Sequence, residues 1–505
     1  MTQEDSKLGR RAFLKHAAGL ALGTVSARGV YGLLDTIHPT GPARAAAGMP
    51  VRRREQYAVE NIELHTDNGQ PVLIPPLYHE IVTAKITVAN TAGALFRAQQ
   101  RLEQALQTVE SPYAPTAAGL TIVVGWGLPY FRSYLPTALV DAAMPIDEPY
   151  STASGSRKYA LLDAIRFPID RDEMLLEQND LVFLMRSDDQ AIIAAAEIAL
   201  FEDQSSAAYI GDLFGLTSVR KGFVGRGFGT RSVAKQLAQA AGVAGADEIP
   251  DDAQLMMGFT STQQSALAPG KLVNFEAMPG VTNQWPSGYV MGGTTAHISH
   301  LFEDLSFWYG SFTPAARTSR MFSPRTVAAL GTVTIPNSAK DVSDLEQVMA
   351  DAKGGILGHN ATLQQVNRLS AATTDNYGTP YASGTPISLR DDFNTLDNPF
   401  YWTSKVDLDQ WSERKAPGLH FVIFTATSQQ FHRMKLAMDG VLPDGTNLRQ
   451  PPYSIPDSAN GINQAIRATH RQNFLIPPRA RRSFPLVELL PGVHRQFLPL
   501  VTLSR

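Results

Sequence analysis

Cysteine is absent from all 505 residues. That excludes disulfides, zinc–thiolate sites, iron–sulfur clusters, cysteine nucleophiles and a lipoprotein acylation site together. Net charge is scarce as well. Forty-four Lys and Arg stand against 47 Asp and Glu, a balance of -3, so no broad basic face marks a dedicated nucleic-acid binder. Two short basic runs, Arg52–Arg54 and "RARR" at Arg479–Arg482, read as solvated surface. No G-x-S-x-G occurs, which removes the nucleophile elbow of a serine hydrolase, and no H-E-x-x-H of a zincin. "KGFVGRGFGTR" (221–231) is Gly-rich, yet it fits neither a Walker loop nor the dinucleotide G-x-G-x-x-G, and reads as a surface or pocket-rim loop.

What remains is globular in composition, 44% hydrophobic and 18% charged, with length for two domains or one large double domain. The N-terminus is a separate matter. "LGRRAFLKHAAGLALGTVSA" (8–27) carries Arg10-Arg11, then Phe13, Leu14 and Lys15, then a mildly apolar stretch broken by glycines. That stretch is too short and too weak for a stable membrane span. The order of residues reads as a twin-arginine export signal, with "ARAAAG" from Ala43 as a cleavage site. The chain is therefore expected to meet the twin-arginine machinery and to act in the periplasm or outside the cell. Such cargo crosses folded, so a cofactor inserted beforehand travels with it. Residues 1–46 are set aside as signal region.

Beyond it, "EIVTAKITVA" (80–89) alternates as a half-buried strand does. "GALFRAQQRLEQALQTVE" places Leu95, Leu102, Leu106 and Val109 on one helical face. "GLTIVVGWG" (119–127) is a buried-strand run closed by glycines. "DLVFLMRSDDQAIIAAAEIALFED" (180–203) reads as strand, polar cap and apolar-faced helix. The shape recurs in "GLHFVIFTATSQQFHRMKLAM" (418–438), and "GTTAHISHLFEDLSFWYG" (293–310) reads as a long strand opening a second half. The expectation is an α+β protein of two ferredoxin-like halves with antiparallel sheets, 47–283 and 284–505, packed sheet to sheet. The stretch 370–417, rich in Pro, Gly, Asn, Asp and Ser, is expected to be long irregular structure.

Titratable candidates are few. His297 and His300 form H-x-x-H, but on a strand their rings point to opposite faces and do not chelate together. Asp251–Asp252 and Asp391–Asp392 are acidic pairs of a kind common in loops. His359, in "GILGHNATLQQVNR" (354–367), follows a glycine and opens a polar, helix-like run. It is either a helix-start residue or a metal ligand set at a helix end.

Several of these segments together resemble the dye-decolourising (DyP-type) haem peroxidases. "GLTIVVGWG", "NDLVFLMRSDDQAIIAAAEIAL" and "GLHFVIFTATSQQFHRMKLAM" are similar to that family's early strand, its strand with acidic cap and Ala-rich helix, and its matching C-terminal segment. The resemblance covers most of the chain after the signal region at low identity, and implies a dimeric α+β barrel-like fold. His359 matches the family's haem-ligating histidine in context, which implies haem b with His359 on the metal. "SLRDDFN" resembles the family's Leu-Arg segment, which implies that Arg390 sits above the haem. The family's signature acid is the Asp of G-x-x-D-G. Here "GFTST" (258–262) puts Ser261 in that place and Thr262 in place of the second glycine. The resemblance thus implies an exported, divergent haem oxidoreductase that uses peroxide to oxidise an unidentified electron donor, with weakened or altered activity. Asp391, Asp392 and Asp397 are candidate substitutes for the missing acid, and Trp308, Tyr309, Tyr401 and Trp402 are candidate electron carriers. A homo-oligomer is compatible with it. A haem or ligand carrier without turnover, or a cofactor-free scaffold, are the rival readings.

Overall fold

The computed structural model describes residues 52–224, 227–228, 232–329, 331–335, 345–397 and 415–493. The signal region, Tyr401, Trp402, residues 225–226 and 229–231 of the Gly-rich loop, and 398–414 of the irregular stretch lie outside them.

Eight strands make the frame: β1 (Tyr78–Ile86), β2 (Thr121–Trp126), β3 (Leu181–Ser187), β4 (Phe214–Phe223), β5 (Thr294–Glu303), β6 (Phe393–Thr395), β7 (Gly418–Thr425) and β8 (Ile466–Ile476). β1 pairs antiparallel with β3 and β4, and β2 pairs with β3, so the first four lie in the order β4-β1-β3-β2. β5 pairs antiparallel with β7 and β8, and β6 with β7, so the last four lie in the order β8-β5-β7-β6. Both orders run fourth, first, third, second, which is the ferredoxin-like arrangement expected of each half. The halves then meet edge to edge instead of face to face. Asn394 pairs with Phe223 to join β6 to β4, and Leu475 pairs with Trp126 to join β8 to β2. With both seams made, the ring closes into a barrel, and the outer strands of the two halves cover each other.

Side chains alternate across that wall, as a period of two requires. Ile81, Val123, Val182, Leu184, Ile298, Val422, Phe424 and Phe474 meet in one cluster inside the barrel. Their neighbours Val82, Ile122, Val124, Phe183 and Met185 face out under the helices of the first half. β3 is accordingly buried at all seven positions.

Helices cover the outer faces. α1 (Ala92–Glu110) starts where Thr91 accepts from Ala94 N, and it buries Leu95, Leu102, Leu106 and Val109 as its spacing predicts. α2 (Gln190–Glu197) is capped by Asp189. In the second half α3 (Leu305–Ser311), α4 (Leu345–Lys353), α5 (His359–Gln364) and α6 (Ser428–Met438) take that role, the last held by a capping box of Thr427 and Gln430.

Three expectations are corrected. The strand expected over 293–310 stops at Glu303, because Asp304 accepts from Phe307 N at 2.9 Å and starts a helix. The stretch expected to be wholly irregular contains β6 and a short strand, Leu389–Arg390, that pairs with β7. "RARR" is not all solvated surface: Arg482 is 1% exposed, donates to Glu103 and, at 2.8 Å, to Glu110, and Arg479 shares Glu110 at 2.9 Å.

Candidate functional site

The outer face of the first half is filled by apolar side chains under α1 and α2. The matching face of the second half is not. A cavity of about 630 Å³ lies there, walled by Ser299, Leu301 and Glu303 of β5, Leu419, Phe421 and Ile423 of β7, and Phe431, Met434 and Met438 of α6. That volume is ordinary for a small-molecule or cofactor site. His359, Arg390, Ser261 and Asp392 all line it. Residues 98 or more positions apart in some pairings are thus brought to one wall-bound space.

His359 is the first residue of α5, after Gly358 at the cap position. Glycine is required at 358, since a Cβ there would stand 2.1 Å from Phe322 O. Gly461, at φ +56°, lies against the His359 backbone, where a Cβ would come within 3.1–3.2 Å. These two close approaches seat the helix start, so the two expectations for His359 are not exclusive: it begins a helix, and its ring borders the cavity. The residue is half-buried, and its buried Nδ1 has no hydrogen-bond partner. Burial pushes its pKa down to about 3, with Arg390 and Lys435 adding in the same sense, so the imidazole is neutral.

Arg390 is half-buried on the short strand beside β7. Its Nη2 donates to Ser261 O at 2.5 Å. The Ser261 hydroxyl is buried beside Asp392 and favours its carboxylate. Of the three aspartates considered as substitutes, Asp391 is committed to Arg186 at 2.6 Å, inside the barrel. Asp397 accepts from Lys221 N at 2.7 Å, under β4. Asp392 borders the cavity, and burial raises its pKa against the pull of Arg390.

Glu303 was not marked by the sequence reading, since a lone acid at a strand end carries no motif. It follows Ser299 and Leu301 in phase on β5, and that phase is the signal that would have found it. It is 2% exposed, its Oε2 is without a partner, and burial followed by Asp392 pushes its pKa up to about 8. Two ion pairs also line it: Arg471 with Asp170 at 2.6 Å, and Lys435 with Asp439.

His297 and His300 are separated as expected. His297 stacks on Phe431 with ring centroids 3.6 Å apart and bonds Asn473 at 2.7 Å. His300 packs on His420 at 4.4 Å, where His420 belongs to β7. Trp308 and Tyr309 are buried on α3 and donate to Met257 O at 3.0 Å and Met256 O at 2.8 Å. They therefore tie down the segment that leads to Ser261. Among the described residues no three His, Asp or Glu side chains gather as a metal site, and no helix is long and apolar enough to cross a membrane.

The chain belongs to the family of unknown function DUF7405, whose model matches residues 76–478. No curated protein matches it. Among solved structures it is similar in fold to a DyP-type peroxidase from Cellulomonas bogoriensis, with a TM-score of 0.51 and 16% identity over 87% of this chain and 96% of that one. It also matches the encapsulated DyP-type peroxidase from Mycobacterium smegmatis, with a TM-score of 0.43 and 14% identity over 82% of this chain and 97% of that one. A dye-decolorizing protein from V. cholerae matches at 0.40 and 12%, over 81% and 96%. The likeness is one of fold.

Proposed function

We propose that this DUF7405 chain, on the fold of the DyP-type peroxidases, is an exported haem b-binding oxidoreductase that uses peroxide to oxidise a donor. One observation carries the reading. A neutral imidazole with a buried, unsatisfied Nδ1 borders a cavity of cofactor size that also holds Arg390.

The donor set fits haem better than a bare ion. A metal at His359 finds no second and third protein ligand among the described residues, so it must bring its own, as a porphyrin iron does. When bound, haem supplies the iron that receives peroxide and the electrons that break its O–O bond. His359 would hold the haem iron through a neutral ring nitrogen. Its Nδ1 lacks the carboxylate that strengthens such a ligand, which makes it a weaker donor. Arg390 presents a guanidinium held in place through Ser261 O, so it can stabilise negative charge developing in the cavity. Ser261 has no basic group to take a proton.

A second reading, haem carriage without turnover, draws on the same weak ligand and on the serine at 261. The experiment that separates them starts with the purified chain incubated with haemin. A Soret band that His359→Ala abolishes supports both. Peroxide-dependent oxidation of a dye, lost in Arg390→Ala with the band retained, supports the oxidoreductase. A folded chain that takes up no haem defeats both. Export by the twin-arginine route is supported by Arg10-Arg11 and the residues after them, and is tested by changing both to Lys and locating the protein.

A further inference from the structure

Glu303 ends β5, Asp392 lies in the two-residue break between the Leu389–Arg390 strand and β6, and both border the same cavity. They are 2% and 3% exposed. Each keeps one carboxyl oxygen without a hydrogen-bond partner, Oε2 of Glu303 and Oδ1 of Asp392. Unpartnered buried oxygens are uncommon, and they cost stability unless something is to occupy them. Among the described residues no cation forms an ion pair with either acid within 4 Å. Arg390 is near enough to favour the Asp392 carboxylate, and its Nη2 donates to Ser261 O.

We propose that Glu303 and Asp392 form a proton-exchange pair on the wall of this cavity. The proposal rests on the reading that the cavity is where peroxide reacts. Two carboxyls in one dry site do not ionise together, so near neutral pH one proton stays with the pair. Burial, with Asp392 nearby, raises Glu303 to about 8 and puts that proton there, while the Arg390 charge favours the Asp392 carboxylate against its own burial. A hydroperoxide can then give its proton to Asp392 while Glu303 gives one to the other oxygen. One proton enters, one leaves, and a single proton remains on the pair. A lone carboxylate has to carry one proton across instead.

The surroundings bear on the titration. Asp391 also faces Asp392 but is neutralised by Arg186 at 2.6 Å. The Tyr309 hydroxyl feels Glu303 but donates to Met256 O. The cavity lining further contains Asp304 and Asp457, the cations Arg171 and Arg467, and the pairs Arg471–Asp170 and Lys435–Asp439.

Infrared difference spectra of the haem-free chain in D₂O give a readout independent of turnover. A protonated carboxyl band is expected at pH 6.5 that fades as pH rises, with a midpoint near the value of about 8 expected for Glu303. Glu303→Gln removes its share of the band and leaves that of Glu80, which burial also raises to about 8. Asp392→Asn leaves the Glu303 share but lowers its midpoint, because the repelling charge is gone. A band that is absent in the wild type, or a midpoint that does not move in Asp392→Asn, overturns the pair. In the haem-loaded chain, each variant is expected to slow the reaction with hydrogen peroxide by about 10²-fold, as removal of general acid–base groups does, with the Soret band unchanged. An unaltered rate in both overturns the role in exchange. If no haem is taken up, the functional reading fails by itself, and the infrared titration still decides the pair.

Discussion

The Arg390 guanidinium donates to the backbone carbonyl of Ser261, a residue 129 positions earlier in the chain. The bond fixes a permanent positive charge at the edge of the cavity and uses a main-chain acceptor, so the identity of the side chain at 261 is irrelevant to it. Arg390→Ala is expected to leave haem uptake intact and to slow the reaction with peroxide by roughly 10²–10³-fold, the range for loss of one preorganised charge donor. Arg390→Lys is expected to recover only part of this, since an ammonium on a flexible stem does not reproduce the planar fork. Stopped-flow absorbance of the loaded variants measures both. Equal rates in wild type and Arg390→Ala would remove Arg390 from the chemistry.

The ring of His359 is a cost to the fold as it stands. A buried Nδ1 without a partner forfeits its hydration. His359→Leu, of similar bulk, is expected to raise stability in the haem-free state by about 1 kcal/mol and to abolish the Soret band. Urea unfolding of the two chains without haem checks the first part. A clear loss of stability would show that the imidazole is a packing residue and not one kept for a ligand.

How far such features were legible in the sequence depended on their range. α1 announced itself because Leu95, Leu102, Leu106 and Val109 repeat at helical spacing, and β3 because a short apolar run ends at a capping Asp. β6 did not, since three residues are too few to show a period. Arg482 looked solvated because its partner Glu110 is 372 residues away. His359 and Arg390 were named through a resemblance of short segments, and both do border the cavity. Glu303 offered only its phase with Ser299 and Leu301 on β5, since the neighbour that raises it, Asp392, is brought close by the fold alone.

Stability should peak near neutrality for a reason that can be worked through by sign. His79 and His432 are pushed by burial to about 4, His359 to about 3, and His297, His300, His420 and His470 well below their ordinary value. Below about pH 6.5 the unfolded chain binds protons that these folded imidazoles refuse, so stability falls as pH drops. Glu303 and Glu80 behave oppositely. Burial raises both to about 8, so the folded chain keeps protons that the unfolded chain releases above its ordinary carboxyl range. Their contribution declines as pH rises toward 8. Seven histidines dominate the acid side, and the two acids are left alone above it. Melting temperature against pH is expected to be a dome with its top between about pH 6 and 7. Glu303→Gln should flatten the alkaline limb and leave the acid limb in place. A monotonic rise through pH 8 would contradict the protonated Glu303.

At one seam of the barrel a buried amide side chain ties β6 to its neighbours. Asn394 on β6 accepts from Met256 N at 3.0 Å and donates to Gln254 O at 3.0 Å and Phe223 O at 3.3 Å. The residue is fully buried, so each of these groups has no water to turn to. Asn394→Ala strands an amide and two carbonyls and is expected to cost about 2–3 kcal/mol. Asn394→Asp keeps the acceptor for Met256 N but turns a charged oxygen toward two carbonyl oxygens, and is expected to cost more despite its matching shape. The ordering is the test, since a packing role alone would make Asp the milder change. Because Met256 and Gln254 belong to the segment that runs on to Ser261, the same substitutions should also loosen the Arg390 anchor. The loss is then expected to appear twice, as a lower urea midpoint and as a slower reaction with peroxide in the haem-loaded chain. Asn394→Ala with a lowered midpoint and an unchanged rate would show that the seam and the cavity are independent.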